Sequence, residues 1–285
     1  MKRFIKDDTY HIMYESVADF FANTDIDNPP ATMHPRNQGQ LDNMTDDSSW
    51  RYGDEKSKDG FHTTRFDPKK GKDMCLAEVK KTMADKKYKD LIRQARTYRK
   101  RIEFTDHGFR LNVPKALSGE DRYFGVYKNA RKPVVKIAIN ICGSACVDQE
   151  SFRKVAATAI PTIYALEQAG IATEVWYCSF SSDTYKDPKL AGKYCIVQAK
   201  IKSAQERFNW TTFAPVFTLG SFRESVFLAE IFSEFHITSG LGRPMDDSDI
   251  KKKDNFGYTA VIGLNAVGPV KQVNSIFEQL HKTKS

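Results

Sequence analysis

The chain has 285 residues, 40% of them apolar and 28% charged, with a formal net charge of +8. That is enough apolar material for one large domain or two modest ones, and no long low-complexity run argues for general disorder. No window holds the ~20 apolar residues of a membrane span, and Met1-Lys2-Arg3-Phe4-Ile5-Lys6-Asp7-Asp8 lacks the apolar stretch behind it that a signal peptide needs.

Residues 1–72 read as a mostly irregular N-terminal arm. A short helix is predicted at Tyr14–Ala22, where Val17, Ala18, Phe20 and Phe21 are apolar. Asn28-Pro29-Pro30 follows, then a polar stretch to Ser49 that reads as a loop. Trp50, Tyr52, Phe61 and Phe66 come next, among Gly and charged residues.

Residues 73–132 read as a basic helical segment followed by a hairpin. Met74, Leu76, Val79 and Met83 have mixed helical spacing, and Tyr88, Leu91, Ile92 and Ala95 make a clearer apolar stripe. Phe104 to Val113 is predicted to be a hairpin that turns at Asp106-His107-Gly108.

Residues 133–285 read as an α/β unit, either separate or packed as one domain with residues 1–132. Strands are predicted at Val134–Ile141, Ala172–Phe180, Tyr194–Ile201 (this third one antiparallel) and Tyr258–Asn265. Helices are predicted from Asp148 to Gln168, with Gly170 just past the end, and at Arg223–Phe235 and Val270–Leu280. Alternating strands and helices imply a mainly parallel sheet flanked by helices.

The charge is regional. Residues 65–101 hold 14 Lys/Arg against 5 Asp/Glu, and the rest of the chain holds 30 against 31. The cations are Lys69, Lys70, Lys72, Lys80, Lys81, Lys86, Lys87, Lys89, Arg93, Arg96, Arg99, Lys100 and Arg101, beside Arg65. Such a cluster attracts polyanions, and each phosphate it neutralises releases counterions. Tyr98 lies inside the segment, Trp50 and Tyr52 precede it, and Arg122-Tyr123 follows it. Rings interleaved with cations suit unstacked bases and so favour single strands over duplex. The segment lacks the bulky apolar face of a membrane-surface helix.

Enzymatic signatures are missing. The six histidines are scattered, and no His-Glu-x-x-His, Gly-x-Ser-x-Gly or phosphate-loop pattern occurs. Asn140-Ile141-Cys142-Gly143-Ser144 ends the first α/β strand, where ligands of open sheets bind. Asn140, Ser144 and Asp183 could mark a magnesium site, but position 140 has no carboxylate and position 142 offers sulfur to a hard cation. Cys142 and Cys146 are separated by three residues, with no local His or Cys to complete a zinc site. The reading is therefore a non-enzyme with no cofactor and no metal. Cys178 and Cys195 read as buried thiols in a reducing compartment.

Lys132 to Tyr177 resembles a degenerate von Willebrand A-like unit, through Val134-Val135-Lys136-Ile137-Ala138-Ile139-Asn140 and Leu166-Glu167-Gln168-Ala169-Gly170-Ile171-Ala172-Thr173-Glu174-Val175. The whole layout is similar to the Drc family of schitovirus phages. It shares size, a basic N-terminal half and Trp50-Arg51-Tyr52-Gly53 ahead of an α/β half. That resemblance implies a single-stranded-DNA-binding transcription regulator in the cytoplasm of an infected bacterial host, one that coats exposed DNA and recruits a phage RNA polymerase. The end, His281-Lys282-Thr283-Lys284-Ser285, lacks the acidic tail of many single-strand binders, so a partner contact is expected elsewhere. The alternative reading is a protein-interaction module with a degenerate metal site and a basic docking surface.

Overall fold

The computed structural model describes residues 1–46, 68–98, 102–105, 110–111, 113–120, 122, 124–127, 134–143, 147, 149–190, 193–209, 216–217, 225–238, 241–252 and 257–282, some of them in backbone only. Its strands are β1 (Lys2–Lys6), β2 (Thr9–Tyr14), β3 (Ile102–Thr105), β4 (Arg110–Leu111), β5 (Phe124–Tyr127), β6 (Val134–Asn140), β7 (Ala172–Ser182), β8 (Tyr194–Lys202), β9 (Arg243–Pro244) and β10 (Ala260–Ile262). Its α-helices are α1 (Val17–Ala22), α2 (Gln38–Asp46), α3 (Pro68–Ala84), α4 (Lys86–Tyr98), α5 (Val113–Leu117), α6 (Gln149–Gln168), α7 (Phe227–Ile231), α8 (Asp247–Lys252) and α9 (Pro269–Lys282).

The main sheet has 7 strands in the order β1-β2-β8-β7-β6-β10, with β9 paired to β7. An α/β fold is what the apolar runs imply, but the sheet is mixed rather than mainly parallel. β6 runs parallel to both β7 and β10, and β2 runs parallel to β8. The pairs β1–β2, β7–β8 and β7–β9 are antiparallel. The physical reason lies in the connections. A parallel return needs a crossover of a dozen or more residues, usually a helix, as α6 provides between β6 and β7. The described residues between Asp183 and Lys193 contain no helix, and β8 folds back antiparallel beside β7.

Residues 1–46, expected to be irregular, carry a hairpin and helices. Asp7 takes the left-handed conformation (φ 51) at the hairpin turn, which Asp tolerates better than most residues. In β2, Tyr10, Ile12 and Tyr14 face the main core while His11 and Met13 face the other way. Tyr14 therefore belongs to a strand, and the helix predicted from it begins at Val17. Ser16 caps that helix by accepting from Asp19 N at 3.0 Å.

The polar stretch after Pro30 is tied down by Asn37. Its buried side chain donates to Ile231 O and Phe235 O, both at 2.9 Å, and accepts from Ile237 N at 3.1 Å. Two other expectations change. β3 and β4 do not pair as a hairpin; each lies antiparallel to β5 in a separate three-stranded sheet. The helix expected at Arg223–Phe235 is ordered as α only over Phe227–Ile231, and residues 223–224 lie outside the described ones.

Helix α6 is the spine of the helical layer. Its buried Phe152, Val155, Ala159, Ile163 and Leu166 pack on the inner face of the sheet. Its end is closed by Gly170 (φ 79), with Ile171 N donating to Leu166 O and Gly170 N to Glu167 O, both at 3.0 Å. A buried network clips this end to the sheet. Lys202 Nζ donates to Thr173 O at 2.8 Å and lies 2.9 Å from Glu167 Oε1, which also accepts from Thr173 Oγ1 at 2.7 Å. α3, α4 and α9 complete this layer against α6.

Candidate nucleic-acid interface

α4 carries the basic stripe that the sequence singles out. Asp85 starts the helix, with its Oδ1 accepting from Lys87 N at 2.8 Å and Tyr88 N at 3.2 Å. Tyr88, Leu91 and Ala95 are buried, and Tyr88 Oη donates to Pro161 O of α6 at 2.8 Å. The buried stripe thereby sets the rotation of the helix. Lys86, Lys89, Arg93 and Arg96, at i, i+3, i+7 and i+10, fall along one exposed flank. The flank is about 15 Å long at the helical rise. Lys87 is exposed on the opposite flank.

Part of this charge has local partners. Arg93 Nη1 meets Asp90 at 2.9 Å and Lys81 Nζ meets Glu78 at 3.4 Å. Arg96 Nε donates to Gln168 Oε1 at 3.2 Å. No ion pair is described for Lys80, Lys86, Lys87 or Lys89 among the described residues. The two local pairs are exposed i,i+3 contacts of little energetic value, so an arriving phosphate can compete for those cations.

Lys69, Lys70, Lys72 and Tyr98 lie within α3 and α4, where their backbone alone is described. Arg122 is exposed. Trp50, Tyr52, Arg99, Lys100, Arg101 and Tyr123 lie outside the described residues.

At the carboxyl end of β6 the Asn140 side chain is fully engaged. Nδ2 donates to Asp247 Oδ1 at 2.9 Å and to Met245 O at 3.3 Å, and Oδ1 accepts from Cys142 N at 3.1 Å. Gly263 leaves room for the Asp247 carboxylate, which a Cβ at 263 would push aside. Ser144 lies outside the described residues, and Asp183 is exposed at the start of the β7–β8 link. Among the described residues no group of three or more His, Cys, Asp or Glu side chains is placed to hold a metal. The arrangement closes a strand end. Burial pushes the Cys142 and Cys178 thiols up to about 12, so neither is a nucleophile at neutral pH.

The sequence reading overlooked the outer face of the main sheet, turned away from the helical layer. Phe4 and His11 stack there with centroids 4.7 Å apart and planes 8° from parallel. Lys136 and Lys200 lie over the Trp176 ring at 5.5 and 4.9 Å from its centroid, and Lys136 lies 4.8 Å from the Tyr258 centroid. The available signal was the lysine interrupting Val134-Val135-Lys136-Ile137. A strand covered by apolar layers on both faces has no place for that charge.

The chain matches a family profile across residues 4–280. It belongs to the family described as a domain of unknown function, DUF7192. Comparison with curated proteins and with solved structures finds no significant match. Among the described residues, no helix is long and apolar enough to cross a membrane.

Proposed function

We propose that the protein binds single-stranded DNA without sequence preference, through the basic flank of α3 and α4. The observation that carries this reading is the Lys86–Lys89–Arg93–Arg96 stripe, held outward by the buried Tyr88, Leu91 and Ala95. Long cations on a rigid helix suit backbone phosphates, which carry no base information. The similarity to Drc proteins extends the proposal to phage transcription: bound protein would mark exposed template and help recruit a phage RNA polymerase. In that role it is not an enzyme and needs no cofactor.

The test is anisotropy of a labelled oligothymidine at several salt concentrations, with duplex DNA and RNA of equal length beside it. Each phosphate contact contributes about −0.7 to the slope of log affinity against log salt on single strands. Neutralising the stripe (Lys86→Gln, Lys89→Gln, Arg93→Gln, Arg96→Gln) should flatten that slope by about 3. Unchanged affinity and slope in the quadruple variant would refute the helical surface. Pull-down partners that survive nuclease treatment and are not displaced by oligonucleotide would favour the protein-docking alternative.

A further inference from the structure

The two faces of the main sheet are chemically unlike. The inner face is aliphatic and sealed by α6 and its neighbours. Register and alternation put Phe4, His11, Met13, Gln198, Lys200, Trp176, Cys178, Lys136 and Ala138 on the outer face. Lys2 and Lys6 share it, two residues either side of Phe4. Among the described residues, Met245, Ile250 and Tyr258 cover the part of this face nearest β10. Toward β1, Phe4 remains 39% exposed.

We infer that this outer face is a contact surface for single-stranded nucleic acid, with the Phe4–His11 stack as a platform for a base and the Lys136–Trp176–Lys200 group as a phosphate anchor. The inference rests on the single-strand reading above but not on the helical stripe, which lies on the other side of the sheet. Three observations carry it. First, two ammonium groups are held on one indole, and their stems help bury that ring to 5% exposure. The acidic neighbour in register with Lys136 is Glu174, and its Oε1 is occupied by the Trp176 Nε1 donor at 2.7 Å. No ion pair is described for Lys136 or Lys200 among the described residues. This leaves a preorganised positive centre in mid-sheet.

Second, the Phe4–His11 pair presents a flat, part-exposed ring surface at the β1 edge. Burial, with the nearby Lys6 and Lys136, pulls His11 down to about 4, so at neutral pH its ring is uncharged and stacks as an aromatic. Third, the spacing fits a strand. From His11 to Trp176 the path crosses two strand spacings and runs four residues along, roughly 16 Å, a few nucleotides in length. Charge complementarity alone would also admit an acidic peptide. A stacked ring pair beside the cations favours bases, which all offer a π-face.

The test uses the full chain and a short oligothymidine, in a labelled form and in a 5-iodouracil form for photocrosslinking. Phe4→Ala should weaken binding about tenfold, the usual loss of one base–ring stack. Lys136→Met with Lys200→Met keeps the apolar stems and should flatten the salt slope by about 1.4. Crosslinks should map to Phe4 or His11. If both variants bind like the parent and crosslinks fall only within residues 65–101, the platform is wrong and the helical reading stands. If the parent binds no oligonucleotide, both fall together. Polyglutamate competing as well as oligothymidine at equal charge would reassign the surface to acidic peptides and overturn the inference. Phe4→Ala and the crosslink map decide the matter if the double methionine variant fails to fold.

Discussion

Glu230 offers a sharp test of the buried architecture. It lies on α7 with its carboxyl group sealed beneath the sheet. Ser181 Oγ donates to Oε1 at 3.3 Å and lies 2.8 Å from Thr184 Oγ1, while Oε2 has no hydrogen-bond partner among the described residues. Burial pushes the pKa from 4.5 up to about 8, and the Ser181 bond only partly opposes this. The folded protein thus holds a proton that the unfolded chain releases. The resulting stability is complete below pH 4.5, falls as pH rises, and is gone above the folded pKa of about 8. The slope is about 1.4 kcal/mol per pH unit, so the loss between pH 5 and 7 is roughly 2 to 3 kcal/mol. Glu230→Gln keeps the shape and cannot ionise. Urea unfolding of parent and variant at pH 5, 7 and 8.5 gives the difference directly, because every other titrating group cancels. The variant should lie within about 1 kcal/mol of the parent at pH 5 and gain steadily on it as pH rises. A stability difference that stays constant across this range would refute the argument.

His11 should act with the opposite sign. Its folded pKa lies at about 4, below the ordinary 6.5, so the stability present above pH 6.5 is lost as pH falls toward 4. His11→Phe should remove that component, seen as a smaller drop in urea midpoint between pH 7 and pH 4.5. Lys202→Met leaves Glu167 and the Thr173 carbonyl without their ammonium partner. It should cost about 3 kcal/mol, read as a lowered thermal midpoint. Asn37→Ala removes the donors and acceptor that hold residues 231–237. It should cost about 3 kcal/mol and speed proteolysis in that segment; an unchanged cleavage pattern would show that the anchor is dispensable.

Local pattern revealed the elements that carry their own signal. The largely apolar run Val134–Ile139, the apolar stripe of α6 and Gly170 behind it identify β6, α6 and the turn into β7. The Tyr88, Leu91, Ile92 and Ala95 spacing identifies α4 and, by subtraction, its outward lysines. The N-terminal hairpin was not legible, because Thr-Tyr-His-Ile-Met-Tyr becomes a strand through its pairing with β8, far along the chain. The buried Lys202 and the Lys136–Trp176–Lys200 group escaped for the same reason. Each depends on a partner brought in by strand register, which residue spacing does not encode.

The amino-acid order alone therefore determined helices α3, α4, α6 and α9, strands β6, β7, β8 and β10, and the region where positive charge is concentrated. These follow from periodicity and composition, which act over a few residues. Tertiary structure decided the place of the N-terminal hairpin, its parallel pairing with β8 and which lysines share a face. Those outcomes depend on contacts between distant segments, whose free energy appears only once the sheet has assembled.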